Sequence, residues 1–194
     1  MFLIIASVSF FCVKLAVNIS YSPINEDNTA VEDKISFNDK IIEQGVRALY
    51  MPEEKIGDED YVKNFVKKLK KKNCNSVVID FKTAEGRLSY TSMNETAIAA
   101  SAAVYDNDTA RKVINIFTKE DIAVIARINC FSDNRAATAL GSIAVKYMDT
   151  DVNWVDGSDE NGGKAWLNPY SKAARKYIAD VAKEISRLGV GIFM

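Results

Sequence analysis

Val77-Val78-Ile79-Asp80-Phe81 is a continuous apolar run broken by one carboxylate. Alternation of apolar and polar residues marks a strand with one wet face, whereas an unbroken run marks a parallel strand covered on both faces. Reading outward, similar runs lie at Gly45–Met51, ended by Pro52, at Ile122–Phe131, and at Gly189–Met194. Between them stand amphipathic stretches. Tyr61, Val62, Phe65, Val66 and Leu69 form one stripe; Val113, Ile114 and Phe117 form another; Ala174, Tyr177, Ile178, Val181 and Ile185 form a third. Spacings of three and four residues put each set on one helix face. Asp58 or Asp60 is expected to start the first helix, Asp108 to cap the second, and Gly189 to close the third, which runs from Ser171 to Leu188.

Strand–helix alternation predicts an α/β fold with a parallel sheet. Both a doubly wound sheet and a barrel fit that pattern. Residues 51–57 read MPEEKIG, so no glycine-rich phosphate loop follows the first strand, and a nucleotide-binding fold loses support. A strand run at the end of the chain predicts a truncated (β/α)8 TIM barrel over 44–194, with about four parallel strands and three main helices.

Composition removes several function classes. A net charge of −1 leaves no field to attract nucleic acid. The basic run Lys67–Lys72 falls at a predicted helix end, where cations complement the helix dipole. Histidine is absent, which excludes Ser-His-Asp and Cys-His catalysis and every histidine zinc site. Cys12, Cys74 and Cys130 have no CxxC spacing, and the last two fall at opposite ends of the expected sheet, beyond disulfide reach. No metal and no cofactor is expected. Asp149, Asp151, Asn153 and Glu160 fall at positions one, three, five and twelve of a calcium-loop pattern, but position six is Trp154 rather than glycine.

Phe2–Val17 is almost wholly apolar and shorter than the ~20 residues that comfortably span a bilayer. Residues 1–19 are therefore expected to be a signal peptide or an N-terminal membrane anchor, making the protein secreted or attached to the cell envelope through residues 2–17. Residues 20–43 are polar and aperiodic, as a flexible linker would be.

Three charges interrupt or end apolar strands at the expected carboxyl end, where barrel enzymes keep their chemistry: Asp80, Lys82 and Arg127. A buried carboxylate needs a partner. Lys82, two residues on, would share Asp80's side of the strand, and Arg127 repeats the pattern on the third strand. A charged cluster of these three at the mouth would hold sugars or carboxylates, or brace the barrel. Asp133, just past the third strand, is a candidate second carboxylate or a turn residue. Trp154, Trp166, Tyr147 and Tyr170 make the 132–170 connection aromatic-rich, suited to stacking on sugar rings or to packing.

In order, Gly45–Tyr50, Ser76–Lys82, Gly86-Arg87-Leu88-Ser89-Tyr90, Ile125–Ile128 with Phe131 and Asp133, and Ala165–Ser171 resemble the bacterial putative glycoside hydrolase domains, which are TIM barrels. The resemblance covers about residues 44–190. It implies acid–base hydrolysis of a polysaccharide, with Asp80 in a catalytic or substrate-positioning role. It implies Lys82, Arg127, Asn168 and Tyr170 as mouth-lining, substrate-binding positions, and Trp166 joins them as an aromatic that could stack on a sugar ring. Members of that family continue through strand four with a segment of the type D-E-I-x-F-D-Y-x-R-F-P, and its aspartate is the expected catalytic carboxylate. This chain reads Gly189-Val190-Gly191-Ile192-Phe193-Met194 there, so hydrolysis by this chain alone is not expected. A non-catalytic carbohydrate-binding remnant and a fragment of a truncated gene are the alternatives. Exposed sheet edges would favour self-association.

Overall fold

The computed structural model describes residues 37–157 and 162–194. The predicted leader over 1–19, Cys12, most of the predicted linker and Glu160 lie outside the described residues. Residues 37–43, at the end of that linker, are helical, and Ile41 is buried. No helix among the described residues is long and apolar enough to cross a membrane.

A parallel sheet forms the centre, in the order β1 (Ala48–Met51), β2 (Ser76–Lys82), β3 (Ala123–Ile128) and β6 (Ile192–Phe193). The strands are neighbours in the order in which the chain meets them. A doubly wound sheet reverses its order at a switch point, so the sequential order is that of a (β/α)8 barrel sector. Three main helices make the crossovers: α1 (Glu59–Lys71), α3 (Asn107–Thr118) and α5 (Lys172–Leu188). Shorter α2 (Glu95–Ala99) lies between β2 and α3; α4 (Asn134–Ala139) and the antiparallel pair β4 (Val155–Asp156) and β5 (Lys164–Ala165) lie between β3 and α5.

Burial follows the sequence pattern. Val77, Ile79 and Phe81 of β2 are buried together with Val62, Phe65, Val66 and Leu69 of α1. Val113, Ile114 and Phe117 of α3 and Tyr177, Val181 and Ile185 of α5 join the same core. Each fully buried Val, Leu or Phe contributes about 1.5–3 kcal/mol relative to exposure, so packing on the sheet is what holds these helices. Asp58 caps α1 by accepting from the Tyr61 amide, 2.9 Å, and Ser171 caps α5 through the Ala174 amide, 3.3 Å. Gly189 ends α5 at φ +111°, a conformation that side chains resist. The α3 cap is Asp106, through the Thr109 amide, rather than the expected Asp108, which lies inside the first turn.

Three strands are shorter than their apolar runs. β1 starts only at Ala48 because the Arg47 amide donates to the Asn75 side chain, 2.8 Å. β3 ends at Ile128, and β6 pairs over two residues, Ile192 with Ile125 and Phe193 with Ala126.

Candidate functional site

The carboxyl ends of β1, β2 and β3 bring together Tyr50, Asp80 and Arg127. In the register Asp80 faces Arg127 across the strand pair. The guanidinium grips the carboxylate with two nitrogens: Nε donates to Oδ1, and Nη2 donates to Oδ2 at 2.7 Å. Tyr50 donates its hydroxyl to the same Oδ2, 3.0 Å, and its ring stacks under the guanidinium at 4.8 Å. Bidentate Arg–carboxylate pairing adds direction as well as energy. Asp80 is nearly buried, with 8 % of its side chain exposed, whereas Arg127 keeps 41 %. The pair is therefore anchored at one end and open at the other. Partial burial and the hydrogen bond to Asp80 push the Tyr50 phenol up to about 12. The Asp80 carboxylate likewise raises the Arg127 value against the opposing effect of burial.

A cavity of about 440 Å³ opens over this group, lined also by Glu53, Glu54, Glu85, Arg87 and Asn129. Its other carboxylates have cations too. Arg87 pairs with Glu53 and stands 3.9 Å from Glu54, while Lys164 reaches Glu85 at 2.7 Å. The Lys164 hydrogen bond holds the Glu85 carboxyl below its usual range.

Lys82 is not in this cleft. The register slips between Asp80 and Lys82 opposite Arg127 and Ile128, so strict alternation fails at that step. The Lys82 ammonium turns inward to the Asp133 carboxylate, 3.0 Å, and to the Asn129 and Ser132 carbonyls, 2.5 and 3.4 Å. Both side chains have 0 % exposure. Burial lowers the Lys82 value and the Asp133 charge opposes it. Asp133 also caps α4, its Oδ1 accepting from the Ala136 amide at 2.9 Å. The single cluster expected from sequence is thus two pairs, and Asp133 serves as a helix cap and as a buried counter-ion.

The remaining predicted positions lie on the 132–170 connection. Trp166 packs edge-on against Trp154, centroids 6.5 Å apart, and donates Nε1 to Asp156 at 2.9 Å. Asn168 and Tyr170 line a separate cleft of about 850 Å³ with Val145–Asp151. Among the described residues no group of three or more Cys, Asp or Glu converges as a metal-ligand set. Tyr50, Glu53, Glu85, Arg87 and Asn129 were missed by sequence reasoning. Tyr50 had the same signal as Asp80, a polar group at the carboxyl end of a strand.

With this geometry in view, the sequence matches the family described as a putative glycosyl hydrolase domain over residues 48–191. The chain belongs to that family. Among curated proteins no relative is found. Among solved structures, a hypothetical protein from Ruminiclostridium thermocellum is 26 % identical with a TM-score of 0.66, over 75 % of this chain and 73 % of that one. The family 20 exo-β-N-acetylglucosaminidase from Vibrio harveyi, solved with N-acetylglucosamine, is 15 % identical with a TM-score of 0.54. The match covers 74 % of this chain and 25 % of that one. The chitobiase from Flavobacterium johnsoniae is 16 % identical with a TM-score of 0.55, over 76 % of this chain and 23 % of that one. The chain thus spans about a quarter of those two enzymes, and at such identity the likeness is one of fold. The four-stranded parallel sheet of this chain is a sector of the α/β barrel, and the Asp80–Arg127–Tyr50 cleft stands at its mouth.

Proposed function

We propose that this domain binds an envelope or extracellular polysaccharide at the mouth cleft and does not hydrolyse it. The observation that carries the reading is the Asp80–Arg127–Tyr50 constellation, at the end of the sheet where parallel α/β barrels place their ligands. Asp80 offers acceptor lone pairs to sugar hydroxyls, and the open side of Arg127 offers donors to ring and hydroxyl oxygens. Glycoside hydrolysis needs two carboxyl groups, one of them a general acid that keeps its proton. At this mouth Glu53, Glu54, Asp80 and Glu85 each stand beside a cation, so none of the four is a lone carboxyl over the cleft. Asp80 is accordingly a positioning carboxylate. Export or anchoring through residues 2–17 would set the domain against its polysaccharide.

The test is a glycan array with the purified protein, followed by a reducing-end assay on every glycan that binds. Binding without release of reducing ends is expected, with affinity falling about tenfold or more in Asp80→Asn and in Arg127→Ala, as loss of a charged hydrogen bond implies. Turnover that disappears in Asp80→Ala would overturn the non-hydrolytic reading. Binding that is indifferent to both substitutions would overturn the site.

A further inference from the structure

We infer that the cleft between Tyr147 and Tyr170 is a second subsite, for a neutral oligosaccharide, that lengthens the glycan path beginning at the mouth. The inference rests on the carbohydrate-binding reading above. Helix α5 runs from the carboxyl side of the sheet back to the amino end of β6, so Asn168–Tyr170, just before it, lie on the same side as Asp80. The cleft holds about 850 Å³ and is lined by both tyrosines. The two residues are 43 % and 89 % exposed.

Both backbones are fixed. The Tyr147 amide donates to the Val152 carbonyl at 3.0 Å, and its own carbonyl accepts from the Thr150 amide and hydroxyl, 3.2 and 3.1 Å. The Tyr170 amide donates to the Asn168 side chain at 2.9 Å, and Arg175 holds the Pro169 carbonyl at 2.8 Å. Rings presented from fixed turns lose little conformational entropy on meeting a ligand. An aromatic face accepts the C–H face of a pyranose, while Asp149, Thr150 and Asp151 supply partners for its hydroxyls. The charge pattern selects among glycans. The Lys146 ammonium donates into its own hairpin, to the Asp151 carbonyl at 2.9 Å and the Asn153 side chain at 2.6 Å. The two cleft carboxylates then disfavour uronate or phosphate groups, and in a neutral glycan they meet hydroxyl donors.

The experiment titrates the ¹⁵N-labelled full chain with cello- and chito-oligosaccharides of two and six sugars, with a galacturonate hexamer as the anionic control. The neutral hexamer is expected to bind about tenfold more tightly than the dimer, as two aromatic contacts imply. Tyr147→Ala/Tyr170→Ala is expected to abolish that gain, so that hexamer and dimer bind the double variant with similar affinity. Because both rings are exposed, the double variant should fold as the parent does. A length dependence that survives the double substitution would overturn this inference alone. Equal binding of the galacturonate hexamer would overturn the neutral-sugar assignment. If Asp80→Asn leaves all binding intact while the tyrosine variant loses it, the second subsite stands and the mouth reading falls. Amide shifts at neither cleft with any oligosaccharide would overturn both.

Discussion

Two ion pairs, Asp80–Arg127 and Lys82–Asp133, stand at the same end of the sheet, and β2 contributes one member of each. The first keeps the Arg127 side chain two-fifths exposed over an open cleft; the second is sealed, with neither side chain reaching water. The difference lies in one register slip along β2, which sends Lys82 inward when alternation would have kept it beside Asp80. Charge at the end of a barrel strand is therefore not in itself a site. What separates a binding group from a brace is whether its partner leaves a face open.

The comparison can be broken most forcefully at the sealed pair. Removing one partner of a buried ion pair strands the other charge, at a cost of about 3–5 kcal/mol. Chemical denaturation of Lys82→Met or Asp133→Ala should show a loss of that size, and Lys82→Met/Asp133→Leu should recover much of it. A single-variant loss under about 1 kcal/mol would mean that water reaches the pair. Gly86→Ala attacks the same pair from the backbone. Gly86 sits at φ +88°, and an added Cβ would collide with the Asp133 carboxylate. Strain at such a position costs about 1–3 kcal/mol, so a melting temperature equal to the parent's would contradict the packing described.

At the open pair the expected stability effect is smaller and the binding effect larger. Asp80→Asn should cost no more than about 1 kcal/mol, because Arg127 can turn to solvent, while glycan affinity falls. Equal losses of stability in Asp80→Asn and Asp133→Ala would erase the distinction. The smallest effect is a pH dependence. Tyr50 lies at about 12 in the folded state against 10.0 for the ordinary phenol. Its contribution to stability is full below pH 10.0 and fades as the pH rises through about 12. Tyr50→Phe should flatten that part of the alkaline denaturation profile. Tyr90 and Tyr177, raised chiefly by burial, remain as the background slope.

Much of the fold was legible because local signals agreed with one another. The bounds of β2, the stripe of α1 and the Ser171 and Gly189 ends of α5 follow from apolar runs, helical spacing and cap chemistry alone. Strand–helix alternation alone left barrel and doubly wound sheet open, since strand order is a property of pairing and not of any one segment. The missing phosphate loop and the family resemblance pointed to the barrel, and the sequential strand order agrees. Asp80 and Arg127 could be found as charges within apolar strands, and their pairing follows from register. Lys82 was misplaced because a bulge leaves no mark in the residue pattern. Glu53 joins the cleft from a short 3-10 turn and Glu85 and Arg87 from a loop, whose paths are set by tertiary contact. Trp166 could be recognised as an aromatic on a long connection, but its packing on Trp154 depends on the β4–β5 pairing that brings the two rings together.

The central claim is that carbohydrate engages the open pair, and its most direct test is the side-chain Nε–H resonance of Arg127, followed as the full chain is titrated with a glycan that it binds. A saturable shift of that signal, absent in Asp80→Asn, is the result the account expects. Saturable binding of the glycan with the Arg127 signal unmoved would contradict it.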